Sequence, residues 1–140
     1  MKWLLLFAAA ISVSCSYSTE DEVAAFVDPD NQFQVTVTRS APFLGRSSNM
    51  SVSAGGQLRT IHTDPGFSGA TCRSNLYRLD PSTFLIRGVF WNFTFDLASK
   101  RLTEYSKMEN GEFIGSFDED ASRNWRFIPA SERRELAISK

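Results

Sequence analysis

The serine with the most nucleophile-like setting is Ser68, in Gly66-Phe67-Ser68-Gly69-Ala70. The run misses a nucleophile elbow by one residue, because Ala70 stands where the last glycine belongs. An elbow lifts its serine on a sharp turn between a strand and a helix. Here Asp64-Pro65-Gly66 and Ser68-Gly69 surround the serine with turn formers, which predicts a long loop. The only histidine, His62, precedes Ser68 by six residues, whereas that hydrolase fold supplies its base late in the chain. Serine hydrolysis is therefore not expected. Asp118, Asp120 and Ser122 have the opening spacing of a calcium loop, but Arg123 and Pro129 occupy the places that need glycine and glutamate. Asp28-Pro29-Asp30 lacks the continuation as well. One histidine and two cysteines, Cys15 and Cys72, are too few for a structural zinc site. Paired carboxylates for glycoside chemistry are a spatial feature, and most acids here fall in turns or terminal segments where solubility explains them. Glu104, on the strand face of Leu102, is expected to pair with Arg87 or Arg126. Asn49-Met50-Ser51 and Asn92-Phe93-Thr94 match the glycosylation sequon, with Asn92 inside a strand. No catalytic set, metal or cofactor is expected.

The elements that would carry any such residue read as β. Thr19 and Glu22 have capping-box spacing, so Val23 to Phe26 is expected as a short helix, stopped by Asp28-Pro29-Asp30-Asn31. The period then becomes two: Phe33, Val35 and Val37 alternate with Gln34, Thr36 and Thr38. Ala41 to Ser48 is a loop. Met50, Val52 and Ala54 form a strand that Gly55-Gly56 turns into Gln57 to His62, a hairpin. Leu76, Tyr77 and Leu79 begin the next strand and Asp80-Pro81-Ser82 ends it. Phe84 to Phe95 reads as one long strand with Val89, Trp91, Phe93 and Phe95 on one face, Phe90 opposite, and a bend at Gly88. Arg101 to Lys107, Phe113 to Phe117 and Trp125 to Ile128 complete the set, with Asn110-Gly111 as a hairpin turn and Ser131 to Ile138 as a last short helix. Asp80, Asp96 and Asp118 recur near turns, each followed by a serine, at spacings too irregular for a repeat protein. The expected fold is mainly β: a small antiparallel β-sandwich or meander barrel with short terminal helices.

The opening residues give an address. Met1-Lys2-Trp3 is a short positive start, Leu4 to Ile11 is unbroken apolar sequence, and Ser12-Val13-Ser14-Cys15 follows. That pattern reads as a secretory signal peptide, too short for the ~20 residues that span a bilayer. It resembles a bacterial lipobox, with Cys15 after a small Ser14. Ser12 stands where that motif carries an aliphatic residue, which Ile11 supplies one place early. The resemblance implies acylation of Cys15 and attachment to a membrane. Two other fates stay open: cleavage after Ser14 or Ser16, or retention as an apolar anchor. Only cleavage after Ser14 without acylation would leave both cysteines for a disulfide. The division is therefore 1–15 as leader, 16–31 as tether and short helix, and 32–140 as a single β domain.

Of 140 residues, about 125 remain after the leader, enough to bury roughly two-thirds of the unfolded surface. Twelve Phe, three Trp and three Tyr supply the core. A net charge of −1 gives no basis for binding nucleic acid. Eleven of the fifteen cations are arginine, which pairs with carboxylates in bidentate fashion and stacks on rings. Arginine and aromatic side chains are also what interface centres collect. The expected role is a non-enzymatic exported protein of the cell envelope, periplasmic or membrane-attached, that binds another envelope protein as adaptor, inhibitor or assembly factor. The alternative is a lipocalin-like barrel around a small apolar ligand. Phe90, Trp91 and Trp125 are the candidate contact residues, and Cys15 the candidate lipidation site.

Overall fold

Ten segments of alternating or β-branched sequence become ten strands in the computed structural model, which describes residues 21–30, 33–39, 49–62, 72–105, 107 and 109–138. They are β1 (Glu22–Val27), β2 (Gln34–Arg39), β3 (Asn49–Ala54), β4 (Gln57–His62) and β5 (Ser74–Asp80). The remainder are β6 (Thr83–Gly88), β7 (Asn92–Asp96), β8 (Arg101–Glu104), β9 (Glu112–Glu119) and β10 (Trp125–Pro129). Two antiparallel sheets result, one ordered β1-β2-β3-β4 and the other β10-β9-β5-β6-β7-β8. The mainly β sandwich expected from the sequence is what forms.

The rings sit between the sheets. Phe26 and Phe33 come from the four-stranded side and meet Phe84, Phe95 and Phe127 from the other. Phe33 lies 4.4 Å from Phe84 and 5.6 Å from Phe95, centre to centre, and Phe26 lies 4.9 Å from Phe127. Val35, Val37, Met50, Val52, Leu76, Ile86 and Leu102 fill the remainder, all buried. Burial of each large side chain contributes on the order of 1.5–3 kcal/mol, which makes this layer the main source of stability. The Trp125 indole N–H donates to the Val37 carbonyl at 2.9 Å, so its one polar atom is satisfied inside.

Side chains close both seams of the sandwich. At one, Gln57 Oε1 accepts from Leu102 N at 2.7 Å, and Arg59 donates to Leu102 O at 3.0 Å. The edge strand β8 thus has part of its ladder capped by β4. At the other, Arg39 Nε donates to Glu22 at 2.5 Å, and Arg39 also pairs with Glu119 at 2.8 Å. The same guanidinium lies 4.6 Å over the Trp125 ring.

Four local expectations are corrected. Residues 22–27 are strand, not helix: Ala24 and Phe26 turn inward and pair with Val37 and Val35 of β2. Sheet pairing overrides the capping-box spacing, and residues 22–27 join the four-stranded sheet. Residues 131–138 form a turn and then an irregular tail, with no helix. The long strand from Phe84 to Phe95 is instead a hairpin, β6 and β7, closed by Gly88 N bonding to Trp91 O at 2.8 Å. A Cβ on Gly88 would lie 2.0 Å from Trp91, so the turn needs glycine for that ring to fold back. Finally, Asn110-Gly111 does not join neighbouring strands. β9 crosses to pair with β5, in the manner of a Greek key, so the sheet is not a simple meander. Gly55-Gly56 behaves as expected, with φ of 56° and 79° in the β3–β4 turn.

Candidate functional site

Of the three candidate contact residues, Phe90 stands out from the β6–β7 turn at 68 % exposure, while Trp91 and Trp125 are core residues at 8 % and 6 %. Their rings hold the sandwich together and offer a partner almost no surface. Cys15 and Ser68 lie outside the described residues, as does the side chain of His62. Cys72 is buried. Glu104 is exposed on β8, and neither expected arginine is bonded to it: Arg87 reaches Glu109 O, and Arg126 binds Asp120 and Glu132. Asn92 is half-buried within β7, between β6 and β8.

The recurrent aspartates separate into two jobs. Asp80, Asp96 and Asp120 cap turns, each accepting a backbone N–H from a following serine: Ser82 at 2.8 Å, Ser99 at 2.6 Å and Ser122 at 2.8 Å. Bonds to the ionised form hold all three below the usual carboxylate range. The largest cause is the backbone N–H of Ser82 for Asp80, of Ser99 for Asp96 and of Asn124 for Asp120. Asp118 does something else. It is buried in β9 and receives Arg73 in bidentate fashion at 2.8 and 2.9 Å, and Arg133 as well. Arg39, Arg73 and Arg133 line a surface cleft of about 590 Å³ with Asp118, Glu119 and Asp120. Each of these arginines already holds a carboxylate of the chain, so the cleft presents paired ions with no excess of either sign. A second cleft, of about 610 Å³, carries Asp28, Asp30, Asp80 and Glu112 against Arg78. Among the described residues no three histidine, cysteine or acidic side chains come close enough to hold one metal ion.

The tail that follows β10 is bonded to the outer face of β5. Asn75, on β5, donates to Leu136 O at 3.0 Å and accepts from Leu136 N at 3.3 Å. Ser116 of β9 donates to the same Asn75 oxygen at 2.8 Å, and Asn75 donates to Tyr77 Oη at 3.0 Å. Tyr77 in turn donates to Glu135. Burial, reinforced by that carboxylate, pushes the Tyr77 hydroxyl up to about 12. Sequence reasoning missed this cluster. Asn75, Ser116 and Asp118 alternate with core residues and so read as solvent-facing, and the segment that buries them lies far along the chain.

The outer face of the four-stranded sheet has the opposite character. Cross-strand rows run Val23–Thr38–Ser51–Thr60 and Ala25–Thr36–Ser53–Leu58, with Val27–Gln34 alongside. No described side chain in these rows is charged. Val23, Val27 and Leu58 are 57 %, 52 % and 58 % exposed, and β-branched and small residues make the surface even.

Compared with family models, with curated proteins and with solved structures, the chain matches none.

Proposed function

We propose that this chain is an exported, non-enzymatic protein of the cell envelope whose task is to bind another protein, with membrane attachment through Cys15 where that residue is acylated. The observation that carries the reading is the uncharged outer face of β1 to β4. Interface centres are depleted of charge, and a flat sheet face with exposed Val23, Val27 and Leu58 costs little to desolvate. The ring side chains bear on the rival reading. A carrier of apolar molecules keeps its rings around a cavity, whereas Phe26, Phe33, Phe84, Phe95 and Phe127 pack on one another. Arg39, Arg73 and Arg133, which line the first cleft, already hold carboxylates of the chain, which favours the uncharged face over that cleft as the binding surface.

The test places a photo-crosslinking residue at Thr36 and recovers the mature protein from envelope extracts. One stoichiometric partner is expected, and Thr36→Lys with Ser53→Lys should lower its recovery at least tenfold without changing the β-sheet circular dichroism. Undiminished recovery with both lysines in place would overturn the assignment of the face. The mass of the mature protein tests the address: acyl groups on a cysteine at residue 15, or a plain cut nearby, are the results in keeping with it. A cytosolic chain retaining Met1 refutes export.

A further inference from the structure

We infer that the outer face of β5 and β9 is a binding groove for an extended peptide, occupied in this structure by the chain's own tail. Asn75 is the key. Its side-chain amide contacts both the N–H and the C=O of one residue, Leu136, at 3.3 and 3.0 Å. That is how an amide reads extended backbone without regard to side chain. Tyr77 adds a specific element by donating to the carboxylate of Glu135, the residue before it. The groove therefore takes an extended segment in which an acidic residue precedes an aliphatic one, and a partner's segment of that chemistry competes with residues 135–138.

The occupant is built to leave. Glu135 and Ala137 are exposed, and Leu136 and Ile138 are only half-buried, so the tail's own side chains hold little apolar surface out of water. The groups that it bonds are polar, and Asn75 and the Tyr77 hydroxyl can bond to water instead; the buried Tyr77 ring is the apolar part of the site. Exchanging such bonds for water is nearly even, unlike opening an apolar core. The tail also has a fixed hinge upstream. Arg133 N bonds to Pro129 O at 3.2 Å, and the Arg133 side chain holds Asp118 and Glu119 O. Residues after Arg133 can swing while the turn before them stays seated. This groove is independent of the face of β1 to β4 proposed above, since it lies on the other sheet.

The experiment titrates a fluorescein-labelled peptide with the sequence of residues 131–138 into the full chain, into its Glu135→Ala/Leu136→Pro variant, and into that variant carrying Asn75→Ala. Alanine at 135 removes the acceptor of Tyr77, and proline at 136 removes the N–H that Asn75 accepts. The loosened chain should bind the peptide at least tenfold more tightly than the unaltered one, and Asn75→Ala should cancel the gain. A folded loosened chain that binds no better overturns the inference. If the variants do not fold, hydrogen exchange on the unaltered chain decides. Exchange at the Leu136 amide at least a hundredfold faster than at the β5 amides supports a displaceable tail, and exchange in step with β5 refutes it. No outside partner enters the assay, so a negative result leaves the other face untouched.

Discussion

Replacing Asp118 by alanine tests the charge cluster at its centre. The carboxylate is buried and accepts three N–H groups, two from Arg73 and one from Arg133. Removing one partner of a fully buried ion pair costs about 3–5 kcal/mol, because the remaining charge stays desolvated. Here the stranded charges are not fully buried. The Arg73 side chain is 44 % exposed and that of Arg133 is 32 % exposed, so water recovers part of the loss. The expected cost is therefore about 2–3 kcal/mol. With a urea m-value of about 1–3 kcal/mol/M, the midpoint should fall by roughly 0.7–3 M with m unchanged. Asp118→Asn keeps an acceptor of the same shape and should cost about half as much. Urea titrations followed by tryptophan fluorescence measure both. A loss below about 0.5 kcal/mol for alanine would mean that the two arginines find equivalent partners, and the cluster would not be what seats the tail's hinge.

Two further outcomes follow from single contacts. Gly88→Ala places a methyl group 2.0 Å from the Trp91 ring, which must leave its pocket; a cost of about 2–4 kcal/mol and a red-shifted tryptophan emission are expected, and an unshifted spectrum would refute the turn geometry. The Tyr77 hydroxyl, raised to about 12 from 10.0, favours the neutral native state, so its contribution is whole below pH 10 and is lost as the pH climbs from 10 towards 12. Thermal melts should show a pH-dependent loss on the order of 1–2 kcal/mol over that window, discounted for partial solvent contact, and a smaller one in Tyr77→Phe.

What the residues announced in advance was whatever neighbours decide. Val35 and Val37 alternate with threonines, and the faces they imply are the faces that form. Gly55-Gly56 turns the chain because only glycine adopts both positive φ angles at no steric cost. Distance defeated the other readings. Ala24 and Ala25 suit a helix locally, and only the register with Val37 and Thr36 makes them strand. Asn110-Gly111 favours a turn but cannot say which strand follows it in space, and β9 finds β5 instead. The candidate sites were least legible. Trp91 and Trp125 looked like contacts because large rings serve interfaces and cores alike, and burial alone separates the two uses. Asn75 gave no sign, since the residue that reads on it, Leu136, is 61 positions away.

The early start of β1 has a consequence for reach. A chain paired with β2 from Glu22 leaves only residues 16–21 between Cys15 and the first sheet. Fully extended, so short a leash spans at most about 20–25 Å. With a lipid on Cys15, the body would ride close against the headgroups, able to roll but unable to cross a gap as wide as itself. A partner of the kind proposed above would then have to be embedded in, or resting on, that same leaflet.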